Sequence, residues 1–220
     1  IAWGKFVNAG QTCIAPDYVF VPEKLKGHFI AHSQVEIEKF YGATLEARKQ
    51  SKDYCRIVNA GHFERLHKML EQAKSTGAKI EFGGHVDATD RFIEPTYLTE
   101  VSPKADLLKE EIFGPLLPIL TYKNMDEVWR YINERDKPLA LYIFSRDVDK
   151  VQDTIHHTSS GGTCINNTLV HIANPHLPFG GVGPSGMGNY HGCFGFKAFS
   201  HERAVMGQGF YNATESFSPP

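Results

Sequence analysis

The sequence has no apolar run near the ~18–20 residues that cross a bilayer, so no membrane anchor is expected in this chain. It has no lysine- or arginine-rich run, and its net charge is -2. Together these exclude a phosphate-tracking surface and nucleic acid as a partner. The N-terminus lacks the basic-then-apolar pattern of a secretory signal. It also opens on Ile1 rather than methionine, so the chain reads as a piece of a longer one. Cysteine is scarce: Cys13, Cys55, Cys164 and Cys193 are scattered, with no C-x-x-C pair. That spacing argues against a disulfide framework and fits a reducing, cytoplasmic compartment. The N-x-[ST] matches at Asn166 and Asn212 are therefore read as chance. No internal repeat is visible.

What is present suffices for a sizeable core: 220 residues, 41 % hydrophobic and 22 % charged. Apolar runs at 17–21, 78–84, 92–101, 116–122, 139–145 and 161–166 read as strands. Helical spacing occupies 24–42, 62–77, 124–136 and 147–158, with Asn124 as a cap for the third. In 62–77, Leu66, Met69, Leu70 and Ala73 form one apolar stripe and Gly77 is the stop. This rhythm, with nearly continuous apolar strands, predicts an α/β fold in which helices cover both faces of a mainly parallel sheet. Periodicity is lost near residue 200, so 1–200 reads as one domain and 201–220 as a tail.

Three stretches could carry chemistry. Cys13 lies in "GQTCIAPDYV", where a small polar turn leaves backbone N–H groups free to face an oxyanion, the Cys13 amide among them. A thiol of ordinary acidity, with a pKa of about 8.5, is mostly protonated at neutral pH, so a nucleophilic role needs help from the site. "KEEIFGPLLPIL" sets Glu110 and Glu111 before Phe113 and a Gly-Pro turn. It reads either as a charged loop entering a strand or as a carboxylate for sugar hydroxyls beside an aromatic for a flat ring. In "LPFGGVGPSGMGNYHG", Gly181, Gly183 and Gly186 satisfy G-x-G-x-x-G. No strand precedes the match, so it reads as a loop of close backbone approach rather than a dinucleotide site. The histidines His156, His157, His171 and His176 follow no zinc spacing. No histidine stands out as the partner of a hydrolase triad built on Cys13.

In order and in separation, these three stretches resemble the catalytic domain of the aldehyde dehydrogenases. "GQTCIAPDY" and "GMGNYHGCFGFKAFSH" suggest the class 3 and fatty aldehyde branch. The resemblance implies a three-layer αβα fold and Cys13 as the nucleophile toward a small-molecule aldehyde. It also implies that Glu111 holds the nicotinamide ribose of NAD or NADP and that Phe113 lies beside the ring. Asn167 and Phe179 fall where the family lines its substrate pocket. Members carry a nucleotide-binding domain ahead of the nucleophile, with a general-base glutamate and an oxyanion-hole asparagine. Twelve residues precede Cys13 here, so most of the cofactor site is expected on a missing N-terminal domain. The isolated chain is then expected to be inactive as a dehydrogenase, and its parent to be a homodimer. Two other readings stay open: a cofactor-independent thiol esterase using Cys13, and a non-catalytic binding or assembly module.

Overall fold

Several helices begin where the chain supplies a side chain to close the first turn. In the computed structural model, which describes residues 1–210, α1 (Ala2–Phe6) is followed by β1 (Val19–Pro22) and α2 (Lys26–Tyr41). Next come α3 (Leu45–Gln50) and α4 (Ala60–Ser75). Thr44 caps α3 by accepting from Ala47 N–H, and Asn59 caps α4 by accepting from His62 N–H. The Asn59 cap starts α4 two residues before the expected 62. Phe63, Leu66, Met69, Leu70 and Ala73 form its buried face, and Gly77 follows with φ +102°.

Five strands follow: β2 (Lys79–Phe82), β3 (Val86–Asp87), β4 (Phe92–Ile93), β5 (Thr96–Thr99) and β6 (Leu116–Tyr122). The described residues continue with α5 (Met125–Asn133), β7 (Ala140–Ile143), α6 (Val148–His157), β8 (Gly162–Ile165) and α7 (Gly192–Ala198). Asn124 caps α5 as expected, accepting from Glu127 N–H, while the Glu127 carboxylate accepts from Lys123 N–H.

The sheet is mixed and dominated by parallel strands. Its order is β1-β6-β5-β2, with β1/β6 and β6/β5 parallel and β5/β2 antiparallel. This is the mainly parallel sheet expected, with one antiparallel edge. β2 alternates between exposed and half-buried residues, whereas β5 is buried throughout. That alternation marks a half-solvated edge strand, and periodicity does not encode its direction. β7 and β8 pair in parallel as a separate ribbon. The run 92–101, expected as one strand, is two. β4 pairs with β3, and β5 joins the main sheet. Pro95 between them has no N–H to give a ladder. Glu94 turns inward to a buried pair with Arg48, at 2.7 Å.

α1, α3 and α7 have no counterpart in the sequence reading. They are 5, 6 and 7 residues long, too short to show a period, and α7 contains two glycines. The main core joins α1, α2 and α4 to β4, β5 and β6 around Tyr97, whose ring meets Phe6 at 5.6 Å. Beyond α7, residues 201–209 carry no regular element. The rest of the expected tail, with Asn212, lies outside the described residues.

Candidate active site

Directly after α1 the backbone turns back sharply. Asn8, Ala9 and Gly10 have φ of +53°, +51° and +72°. Such a run in a rarely populated region persists only where neighbours hold it. Gln11 is one of them. Its amide donates to Asn8 O and Arg56 O (3.0 and 3.1 Å), and its carbonyl accepts from Val58 N–H (2.9 Å). The chain then makes a turn over Thr12–Ala15, closed by Ala15 N–H donating to Thr12 O at 2.9 Å. Cys13 is the second residue of this turn and is exposed, whereas Ile14 is buried. Among the described residues, the Cys13 N–H donates to no backbone acceptor. A thiol and a free donor therefore stand together at the surface.

The second loop is gripped from two sides. Arg65 on α4 donates to Glu111 O at 3.2 Å and Ile112 O at 2.6 Å. The Ile112 N–H donates to the Asp17 carboxylate at 3.2 and 3.4 Å. Phe113 then takes φ +49°. The two loops touch at Gly10, where an added Cβ would lie 2.3 Å from Gly114 O. Under this junction the Lys5 side chain is fully buried, its Nζ without a hydrogen bond. Burial pulls the Lys5 ammonium down from its usual 10.5 to about 8, against an opposing attraction from Asp17. Burial likewise raises the Asp17 carboxyl, against Lys5, the Ile112 amide and Arg65. The Glu111 side chain opens to solvent, yet partial desolvation and the Asp17 charge raise its pKa, with Arg65 opposing.

Cys13 and Glu111 line one open cleft of about 1530 Å³, walled by residues of β1 and β7. Phe113, Asn167 and Phe179 are not in its lining. Phe113 is half-buried at the strained position beside Gly114. Asn167 is exposed and accepts from Thr168 N–H at 2.8 Å. Phe179 exchanges two backbone hydrogen bonds with Tyr190 and packs its ring near His171, Tyr190 and His191. Around it, Gly180 and Gly181 bring backbones together, where an added Cβ would lie 2.1 Å from Gly188 O and Ser185 O respectively. A three-residue turn of 3-10 helix (Gly183–Ser185) lies inside the match, no strand leads into it, and α7 starts six residues after Gly186, so the glycine run forms a tight loop and not a phosphate-binding strand-to-helix turn.

Among the described residues no three His, Cys, Asp or Glu side chains converge as metal ligands. No described helix is long and apolar enough to cross a membrane, and all four cysteines are free thiols. Of the residues that organise the site, Lys5 and Arg65 gave no signal in the sequence. Asp17 lay inside a motif but within a run read as strand.

Comparison with known proteins agrees with this picture. The model of the family described as "Aldehyde dehydrogenase family" matches residues 1–205. A 4,4'-diaponeurosporen-aldehyde dehydrogenase of Staphylococcus aureus is 50 % identical over 94 % of this chain and 44 % of its own length. Aldehyde dehydrogenase family 3 member A2 of Mus musculus is 47 % identical over 95 % of this chain and 42 % of its own length. A Bos taurus protein named "Aldehyde dehydrogenase, dimeric NADP-preferring" is 45 % identical over 94 % of this chain and 83 % of its own length. The substrate-bound structure of Staphylococcus aureus AldH superposes with a TM-score of 0.87 at 45 % identity, covering 97 % of this chain and 47 % of that one. The chain thus spans under half the length of the first two relatives.

Proposed function

The chain belongs to the aldehyde dehydrogenase family, and from that premise we propose that it is the nucleophile-bearing part of an NAD(P)-dependent enzyme oxidising an aldehyde to a carboxylic acid. The observation that carries the reading is the shared cleft. Cys13 and Glu111 line it together, and their loops are tied by the Gly10–Gly114 contact and the Asp17–Ile112 hydrogen bond.

The Cys13 thiolate attacks the aldehyde carbonyl carbon. A C–S bond forms, the carbonyl π pair moves to oxygen, and the oxyanion of the thiohemiacetal faces the free Cys13 N–H. The residues present fit a dinucleotide's nicotinamide end in part. Arg65 on Glu111 O and Asp17 on Ile112 N–H hold the peptide that joins the two residues and leave the exposed Glu111 carboxylate able to accept from two ribose hydroxyls. Phe113 would lie beside the ring. NAD or NADP, when bound, would supply the hydride acceptor that the oxidation needs; Cys13 would hold the acyl group through its sulfur until water releases it as the carboxylic acid and returns the thiol. Asn167 and Phe179 are assigned to the substrate pocket on the family resemblance; of their neighbours, Thr168 lines the cleft. The glycine loop supplies no dinucleotide site, so the 220-residue chain alone is not expected to sustain turnover.

Dimerisation is part of the same reading. It is supported by the bovine relative, which is named as dimeric, and by the bare side chains of Phe196, Phe199, Val205 and Met206. A reducing, cytoplasmic location is supported by the free thiols.

The test uses an enzyme of full family length carrying this chain. Cys13→Ala should lower kcat at least about a thousandfold while leaving cofactor affinity within about twofold. Glu111→Gln should weaken cofactor binding. Turnover retained in the alanine variant, or sustained dehydrogenase activity from the 220-residue chain alone, would overturn the reading.

A further inference from the structure

We propose that Tyr142 is a positioning residue for Cys13, acting by fixing the peptide group that closes the cysteine turn. The proposal rests on the reading of Cys13 as nucleophile. That peptide group joins Ile14 to Ala15. Its N–H end donates to Thr12 O at 2.9 Å and so closes the turn. Its carbonyl end, Ile14 O, accepts from the Tyr142 hydroxyl at 2.6 Å. Both ends of one peptide plane are thus held, and the plane cannot rotate without breaking a hydrogen bond. Cys13 lies between the two anchored positions, Thr12 and the Ile14–Ala15 peptide. Its own N–H, free of any backbone acceptor, is aimed by them.

Tyr142 is well placed to act as a fixed post. It stands on β7, in register with Cys164 of β8, and its ring meets His171 edge-on with centroids 5.9 Å apart. The hydroxyl is desolvated: burial lifts it to about 12, against an opposing contact from the Leu169 amide. The phenol therefore stays a donor across the working pH range. The hydrogen bond links residues 128 apart in sequence. It ties β7 directly to the cysteine turn, and residues of both line the cleft.

The chemistry offers a readout that a merely structural role would not move. Acylation of Cys13 by p-nitrophenyl acetate passes through an oxyanion: the thiolate adds to the carbonyl carbon, and p-nitrophenolate leaves with its electron pair. Alkylation by iodoacetamide displaces iodide in one step and makes no oxyanion. Both reactions need the same thiolate, so their ratio isolates the aim of the N–H donor.

The experiment treats the 220-residue chain and its Tyr142→Phe variant with each reagent at one pH. Modification of Cys13 and of exposed Cys193 is followed by peptide mass spectrometry. The proposal expects Cys13 acylation to fall roughly tenfold with Cys13 alkylation within about twofold and Cys193 unchanged. In the same samples Ala15 N–H exchange should speed up while α4 amides keep their protection, which certifies the fold. Acylation and alkylation falling together, or neither moving, would overturn it. If Cys13 of the unsubstituted chain shows no acylation advantage over Cys193, the nucleophile reading fails and takes the proposal with it. That outcome is told apart because it needs no variant.

Discussion

Replacing Lys5 with methionine should change how stability depends on pH, and the change can be worked out from its surroundings. The Lys5 ammonium is fully buried and makes no hydrogen bond. Its pKa in the fold is about 8 against the usual 10.5. Between those values the unfolded chain holds the proton and the native protein has released it. Stability must then rise with pH across that window, by ~1.4 kcal/mol per pH unit from this one group. The full effect is roughly 3 kcal/mol, and about 2–3 kcal/mol of it falls between pH 8 and pH 10.

Other groups work in the opposite direction at higher pH. Tyr18, Tyr41 and Tyr142 are raised to about 12 by burial. Their phenols stay protonated in the fold while the unfolded chain ionises, so they lose stability above about pH 10. They are common to both proteins and cancel in the comparison. Urea unfolding of the parent chain and of Lys5→Met at pH 7, 8, 9 and 10 measures the difference directly. The stability of the parent relative to the variant should climb by about 2–3 kcal/mol from pH 8 to 10. A flat difference would refute the reasoning and mean that water or a nearer counter-charge reaches Nζ. Function is tied to the same group, because Lys5 is the buried charge opposite Asp17, which holds the Ile112 amide.

Two further outcomes test the packing around the site. Gly10→Ala should cost more than about 2 kcal/mol in urea unfolding, since φ is +72° and the new Cβ would lie 2.3 Å from Gly114 O. Gly27→Ala on α2, where a Cβ meets nothing within 4 Å, should instead be neutral or stabilising by up to about 1 kcal/mol. Arg48→Ala should cost about 3–5 kcal/mol, because it leaves Glu94, whose side chain is 6 % exposed, a buried charge without its counter-ion and with only the His85 N–H as donor. A loss under about 1 kcal/mol there would mean that solvent reaches the pair.

What short-range chemistry can encode was legible along the chain. Asn124 announced α5 because a side-chain acceptor three residues before Glu127 closes a first turn wherever the rest of the chain goes. The stripe through Leu66, Met69, Leu70 and Ala73 named the buried face of α4, since 3.6-residue periodicity survives any tertiary context. "LLPILTY" became β6 with its bounds intact. Cys13 and Glu111 were legible because each sits in a motif whose residue types suit one chemistry. That they line the same cleft emerges only from the fold, since 98 residues separate them and no periodicity reports such a meeting.

The supporting groups were invisible for the same reason. Lys5 and Arg65 look like ordinary polar residues of helices, and Tyr142 like an ordinary strand aromatic. Their roles rest on a buried ammonium beneath one loop, a guanidinium on two carbonyls of the other, and a hydroxyl reaching a carbonyl 128 residues away. The break at Pro95 and the antiparallel edge at β2 were likewise settled by which neighbours were available to pair. Local propensity chooses the element, and partners distant in the chain choose its direction and its work.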